Sequence, residues 1–346
     1  MNAVESSARN PAAGKINRYV AIFLVLVLAI LPLFVKSNYL QHLLIMFFYA
    51  ASTSLAWNII GGYGGQMSLG HSVFIGIGAY ASAILQTKFN MIPLYGFFLG
   101  VAISMAFSFI VYYQCFRLRG PYFTMATLAI SLTLLNLFLN WNYIGKAEGI
   151  LVPVLEKTPN FWWFQFDSKL PYYYLILILF ICYVLITRYF GSSRLGYALL
   201  TIKQNEKTAI SIGINNPMVK AFAVMLSAGM MSILGSFYFQ YIRYIDPEIF
   251  LVYHSIDIVL PAIIGGLGTV AGPIIGTIII FPLTEILRGT IGVIYSGSHY
   301  VIIAIIMIVM IFLKPEGLNS ILAELYRKAV SHLGAYLQKP ADGVKK

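Results

Sequence analysis

Long apolar stretches follow one another along the chain, separated by short segments that carry most of the charged residues. A helix needs about 20 apolar residues to cross a bilayer, and several stretches are shorter, which is typical of broken or tilted helices. The pattern predicts an all-α polytopic membrane protein with about ten transmembrane helices, within a range of eight to ten. The ten stretches are residues 19–35, 38–60, 69–87, 94–116, 121–141, 171–190, 219–242, 252–264, 272–287 and 299–313.

The basic residues predict the orientation. If every stretch crosses, sixteen of the 23 lysines and arginines fall on the side of the termini and seven on the other side. Cytoplasmic loops carry the excess of Lys and Arg, so we expect both termini in the cytoplasm. Residues 1–18 are then a cytoplasmic N-terminal segment, 19–313 the transmembrane domain and 314–346 a cytoplasmic tail. No small-x-small cleavage site follows the first stretch, so we expect that helix to be retained.

Composition excludes several function classes. With 59% hydrophobic and 10% charged residues, the chain is not a soluble domain. The net charge of +11 is explained by the loops and does not indicate nucleic acid. No P-loop, His-Glu-x-x-His or Cys/His cluster is present in the sequence, so we expect no ATPase site, no metal and no cofactor. The two cysteines, Cys115 and Cys182, are predicted to be small buried apolar residues.

The connection from residue 191 to 218 combines apolar residues near helical spacing with a charged face. It predicts a short amphipathic helix or helix pair on the cytoplasmic side, too polar to cross the membrane. Pro217 suits the first turn of the following span. The interpretation as a membrane-surface helix held by anionic lipid remains open beside that of a docking site for a partner.

Two glycine clusters echo each other: Gly61-Gly-Tyr-Gly64 and Gly265-Gly-Leu-Gly268. Transporters are often built from repeats whose glycine-broken helices meet at the substrate site. Polar residues at 66, 68 and 71 follow the first cluster. Close helix packing and a translocation path lined by backbone both account for such a stretch.

Ionisable residues at membrane depth are few. Glu285 and Arg288 are three residues apart and can neutralise each other on one helix face. Asp257 follows His254 at the same spacing, and a structural pair, a cap or a transport role are open for it. We expect Asp257 to be structural first, because loss of a paired charge in a low dielectric leaves its partner uncompensated.

Five blocks in order resemble one family. They are residues 64–80 (GGQMSLGHSVFIGIGAY), 119–129 (RGPYFTMATLA), 193–214 (SRLGYALLTIKQNEKTAISIGI), 265–273 (GGLGTVAGP) and 314–318 (KPEGL). Together they are similar to permease subunits of ATP-driven importers of branched-chain amino acids, the LivM type. The resemblance departs at residues 144–150, where family members often carry a Thr-Gly-Gly-Ser-Asp-Gly-like stretch, so it assigns no role to the outer loop.

The resemblance implies a permease subunit in a bacterial inner membrane, without its own ATPase site. Its implied partners are two cytoplasmic ATPase subunits, a second and related permease subunit, and an extracytoplasmic solute-binding protein. Alternatives are an importer permease for urea or another small polar solute, or a self-contained gradient-driven carrier. The expected path residues are Gly65, Gln66, Ser68, Gly70, His71, Gly265, Gly266 and Gly268. The expected ATPase-coupling residues are Arg194, Gly196, Leu199, Ile202, Glu206 and Gly213.

Overall fold

The computed structural model describes residues 11–118, 120–152, 161–294, 297–313 and 317–318. A helix lies at each of the ten predicted apolar stretches, and two further helices fill the 191–218 connection. The helices are α1 (Pro11–Phe34), α2 (Asn38–Asn58), α3 (Ser72–Lys88), α4 (Pro93–Phe107), α5 (Pro121–Asn140), α6 (Leu170–Gly191), α7 (Arg194–Gln204), α8 (Glu206–Ser211), α9 (Asn216–Ile242), α10 (Val252–Gly265), α11 (Ala271–Ile294) and α12 (Ser298–Leu313).

Two of these helices continue in π-helical form. The first π segment, Ile59–Tyr63, extends α2, and the second, Ser108–Tyr112, extends α4 into a last turn at Tyr113–Cys115. The first glycine cluster (residues 61–64) therefore lies at the end of the second helix.

Six helices of the described chain are long and apolar enough to cross a membrane. They are Asn38–Tyr63, Pro93–Cys115, Pro121–Asn140, Leu170–Gly191, Asn216–Ile242 and Ala271–Thr290. Shorter apolar helices occur at Phe23–Phe34, Val252–Gly265 and Tyr300–Val309. Prolines lie in the first two positions of α4, α5, α6 and α9, where the missing N–H removes no helical hydrogen bond: Pro93, Pro121, Pro171 and Pro217. The chain folds as a multi-pass helical membrane protein.

Helix α3 lies at the centre of the bundle, with 13 of its 17 residues buried. Small residues let α9 approach it closely. A Cβ at Gly78 would overlap the backbone of Ser232, and a Cβ at Gly235 would overlap that of Ile75. The Ser236 hydroxyl also donates to the carbonyl of Gly78 at 2.9 Å. The polar side chains of α3 are thus covered by protein and not by lipid.

Two of the connections between helices form a two-stranded antiparallel pair, which the sequence did not predict. Strand β1 (Ile150–Leu151) pairs with β2 (Tyr244–Ile245). This pair joins the connection between α5 and α6, expected to be irregular, to the connection between α9 and α10. The two cysteines are free, but Cys115 is half-buried and Cys182 exposed, so their predicted burial was wrong.

Candidate functional site

The two glycine clusters contact each other, although they are far apart in the sequence. Asn58, in the last turn of α2, joins them: its Oδ1 accepts from the backbone N–H of Gly268 at 3.0 Å, and its Nδ2 donates to the carbonyl of Thr269 at 2.8 Å. Asn58 is fully buried. The amide side chain therefore pins the second glycine cluster (residues 265–268) to the end of α2.

Close backbone approach explains why glycine occupies these positions. A Cβ at Gly62 would lie 2.5 Å from the backbone nitrogen of Gly268, and Gly268 itself has φ +79°. Gly265 contacts the backbone of Gly272, so any side chain there would separate α10 from α11. Backbone packs directly on backbone at this junction, an arrangement that only glycine permits.

The last block that carried the family resemblance also reaches this junction. Residues 314–316 of that block lie outside the described residues, but Gly317 is described and has φ +79°. A Cβ on Gly317 would lie 2.6 Å from the backbone nitrogen of Gly266. Gly266 is therefore enclosed by the chain on this side.

Helices α7 and α8 form the helix pair predicted for residues 191–218. Ser193 caps α7 by accepting from the N–H of Gly196 at 3.2 Å, and Asn205 caps α8 by accepting from the N–H groups of Lys207 and Thr208. Gly213, with φ +85°, allows the turn after α8 as expected. The local signals in this connection thus give the correct structure.

The apolar side of α7 faces the chain's own bundle. Leu199 and Ile202 are 0% and 2% exposed, and a Cβ at Gly196 would overlap the carbonyl of Phe190. These three residues therefore hold α7 against the membrane domain, and the assignment of Leu199 and Ile202 to ATPase coupling stays a prediction. A periodic apolar stripe in the sequence indicates that one face of a helix is covered. It does not indicate whether the same chain or a partner covers it.

Glu206, one of the expected coupling residues, forms an ion pair within the chain. Its Oε1 lies 2.5 Å from the Lys220 Nζ, which α9 supplies. The Lys220 side chain is 4% exposed and that of Glu206 35%. Arg194 is exposed, at the first turn of α7.

Lys203 connects α7 to the glycine junction. Its Nζ donates to the carbonyl of Gly62 at 2.8 Å, and its stem lies over Gly65, where a Cβ would be 2.9 Å from Cγ. Lys203 is exposed as a residue, but partial burial of its ammonium lowers the pKa of Lys203 below the usual value for a lysine. Gly65 has φ +65° and is exposed.

The polar residues after the first glycine cluster differ in burial. Ser68 and His71 are fully buried: His71 Nδ1 lies 2.8 Å from the Ser68 Oγ, and Nε2 lies 3.2 Å from the Ser227 Oγ of α9. Ser227 donates to the carbonyl of Ala56 at 2.7 Å, so it accepts from Nε2–H of His71. Gly70 is buried beside them.

The expected path residues therefore form two groups. Ser68, Gly70 and His71 belong to a closed hydrogen-bonded node in the interior. The other five lie at the glycine junction: Gly65, Gln66, Gly265, Gly266 and Gly268. Gln66 is half-buried there, and its Nε2 is 3.5 Å from the carbonyl of Gly64.

Sequence reasoning did not single out Asn58, and it counted Lys203 only as part of a polar face. An uncharged amide one turn before a glycine cluster was the available signal for Asn58, since a polar group at that depth needs a partner. The partner of Lys203 is a backbone carbonyl, which no residue pattern marks.

Asp257 belongs to a separate group near the other ends of α10 and α11. It accepts a hydrogen bond from the Tyr300 hydroxyl, and the charges of Arg288 and Glu285 act on it. Arg288 donates to Glu285 at 3.2 Å, as the three-residue spacing predicted. No set of three or more His, Cys, Asp or Glu residues suited to a metal occurs among the described residues.

Helices of membrane-spanning length, with glycine-rich ends that meet at one side of the bundle, define a multi-pass membrane protein with the architecture of a transport subunit. A family model described as a branched-chain amino acid transport system permease component matches residues 39–311. The chain belongs to this family.

Individual relatives are distant. The high-affinity branched-chain amino acid transport system permease protein LivM of Salmonella typhimurium is 23% identical over 290 residues, 76% of this chain and 66% of that protein. LivM of Escherichia coli gives the same figures. The permease protein LivH of Salmonella typhimurium is 22% identical over 286 residues, 78% of this chain and 90% of the relative. The chain thus spans just under two thirds of the LivM relatives, and no solved structure matches it.

Proposed function

We propose that this chain is a permease subunit of an ATP-binding-cassette importer for branched-chain amino acids. The observation that carries the proposal is the family match over residues 39–311, together with relatives named as branched-chain amino acid permease proteins. The sequence contains no P-loop, which fits a subunit whose ATP hydrolysis occurs on partner chains. A second permease subunit, two ATPase subunits and an extracytoplasmic solute-binding protein complete the assembly.

In this proposal the chain lies in a bacterial inner membrane with both termini and the α7–α8 pair in the cytoplasm. The bias of lysine and arginine toward that side supports the orientation. Residues 191–218 form the coupling loop, and residues 1–18 and 314–346 the terminal segments. The glycine junction then lies at the cytoplasmic end of the bundle, beside the coupling loop.

We place the ATPase docking surface on the outward face of the α7–α8 pair. Tyr197, Ile210 and Ile212 are 61%, 59% and 64% exposed. Such an apolar surface on a charged connection marks a protein contact. This surface is separate from Leu199 and Ile202, which are buried against the chain's own bundle.

Substitution tests this surface. Tyr197→Asp and Ile210→Asp should release the ATPase subunits from the purified complex, while the amount of this chain in the membrane stays unchanged. Phe161→Asp is the matched control, because Phe161 is 72% exposed but lies in the connection between α5 and α6, at the other end of the bundle. Retention of the ATPase by both docking variants contradicts the assignment.

Uptake by a deletion strain tests the function itself. The strain receives the complete set of transporter genes, and uptake of leucine, isoleucine, valine and urea is compared. Uptake of the three amino acids that requires an intact ATPase supports the proposal. Urea uptake alone, or amino-acid uptake that persists with an inactive ATPase, favours one of the alternatives and contradicts it.

A further inference from the structure

The ammonium of Lys203 lies beside the end of α2 and the loop that follows α10. Helix α2 with its π segment ends at Tyr63, α7 ends at Gln204 next to Lys203, and α10 ends at Gly265, just before the loop that contains Gly268. A helix C-terminus carries a partial negative charge and carbonyls without intrahelical partners. The lysine at this point therefore interacts favourably with the end of α2, where it binds the carbonyl of Gly62.

The contacts of Lys203 are directional. The 2.8 Å hydrogen bond to Gly62 fixes the ammonium, and a Cβ on Gly268 would lie only 3.8 Å from it. The rest of the α7 interface consists of apolar side chains such as Leu199 and Ile202. Apolar contacts tolerate sliding because they have no preferred direction, whereas a hydrogen bond to a charged group does not.

Gly62 is also the residue through which the two glycine clusters touch. Its backbone packs on the nitrogen of Gly268, which Asn58 holds from the other side. A displacement of α7 transmitted through Lys203 therefore reaches the ends of α2 and α10 together. Without Lys203, α7 keeps its apolar contacts with the bundle but loses its hydrogen bond to the carbonyl of Gly62.

We propose that Lys203 is a positioning residue that transmits movement of the α7–α8 pair to the two glycine clusters, and thereby couples ATP hydrolysis to opening of the path. This inference rests on the proposed function. In this role Lys203 contacts neither the nucleotide nor the solute. It affects the number of solute molecules moved per ATP hydrolysed.

Chemical rescue in one folded sample provides the test. Lys203→Cys is made in a chain that also carries Cys115→Ala and Cys182→Ala, and the complete transporter is reconstituted in vesicles. Alkylation of the thiol with 2-bromoethylamine rebuilds an ammonium at nearly lysine length, whereas iodoacetamide adds a neutral group of similar size. Lys36→Cys in the same background is the matched control, since Lys36 is exposed in the connection between α1 and α2, away from the α7–α8 pair.

Uptake and ATP hydrolysis are measured before and after alkylation. We expect solute moved per ATP to fall roughly tenfold in Lys203→Cys, which corresponds to about 1.4 kcal/mol. Bromoethylamine should restore the ratio and iodoacetamide should not, while the Lys36 control stays at the parental value. Because the same preparation is compared with itself, misfolding does not imitate this result.

Three outcomes overturn the inference. A parental ratio in untreated Lys203→Cys shows that no transmission passes through this side chain. Equal rescue by both reagents shows that bulk, not charge, is required. Absence of ATP-driven uptake in the parental complex instead overturns the proposed function, so the two failures are distinguished by the parental sample.

Discussion

The side-chain oxygen of Asn58 lies 3.0 Å from the backbone nitrogen of Gly268, although 210 positions separate the two residues. One buried amide thus joins the end of the second helix to the loop between the tenth and eleventh. It satisfies backbone groups that the glycine-rich segments leave without helical partners. Contacts of this kind fix how the two halves of the chain meet.

Asn58→Ala tests this contact. The Gly268 N–H loses its acceptor in a buried place, which costs about 1–3 kcal/mol. We expect a lower midpoint of thermal unfolding in detergent. Asn140→Ala is the control, since Asn140 is exposed and its Nδ2 donates only to a carbonyl of its own helix, at Asn136. Equal midpoints for the two variants contradict the role of Asn58.

Gly70→Leu should lower the yield of folded protein and stop uptake. A Cβ at Gly70 would overlap the carbonyl of Thr127 and lie 2.8 Å from the Tyr112 hydroxyl oxygen. Overpacking of this kind costs about 1–3 kcal/mol. Gly289→Leu is the comparison, because a Cβ at Gly289 meets nothing within 4 Å. Size-exclusion profiles and thermal unfolding of both variants measure the difference, and similar stability contradicts the prediction.

The Glu206–Lys220 pair should respond asymmetrically to substitution. Glu206→Gln leaves a buried ammonium without its carboxylate, which costs about 3 kcal/mol for a pair of this kind. Lys220→Met leaves only a carboxylate that is 35% exposed and still hydrated, so we expect a loss of less than about 1.5 kcal/mol. Unfolding of the two single variants is compared with the parental chain. A greater loss of stability in Lys220→Met than in Glu206→Gln would show that the burial of the two groups does not determine the cost of breaking the pair.

Replacement of two buried serines by alanine should change the stability differently, although each variant loses one hydroxyl. Ser227→Ala leaves the His71 Nε2–H without its acceptor, and we expect a loss of about 1–2 kcal/mol. The Ser54 hydroxyl has no hydrogen-bond partner among the described residues, so Ser54→Ala should be neutral or slightly stabilising. Thermal unfolding measures both, and a destabilised Ser54→Ala with unchanged Ser227→Ala would reverse the assignment.

The positions of all ten apolar helices and of the α7–α8 pair were predictable, because apolar runs, prolines and caps are local signals. The direction in which α7 presents Leu199 and Ile202 was not, because amphipathic spacing does not identify the covering surface. The contacts of Asn58 and Lys203 were also not predictable, since both end on backbone atoms of distant segments. The roles of the path and coupling residues remain proposals.

The burial of α3 has a consequence for how the chain is made. Helix α3 carries Ser72, Ser82 and Gln86 inside the protein, and α9, which covers it, ends at Ile242, about 150 residues later. At a synthesis rate of about 5–20 residues per second, roughly 8 to 30 s pass before that cover exists. During this interval Ser72, Ser82 and Gln86 of the nascent α3 lack the cover that α9 later provides. The timing of translation is therefore a part of this protein's assembly.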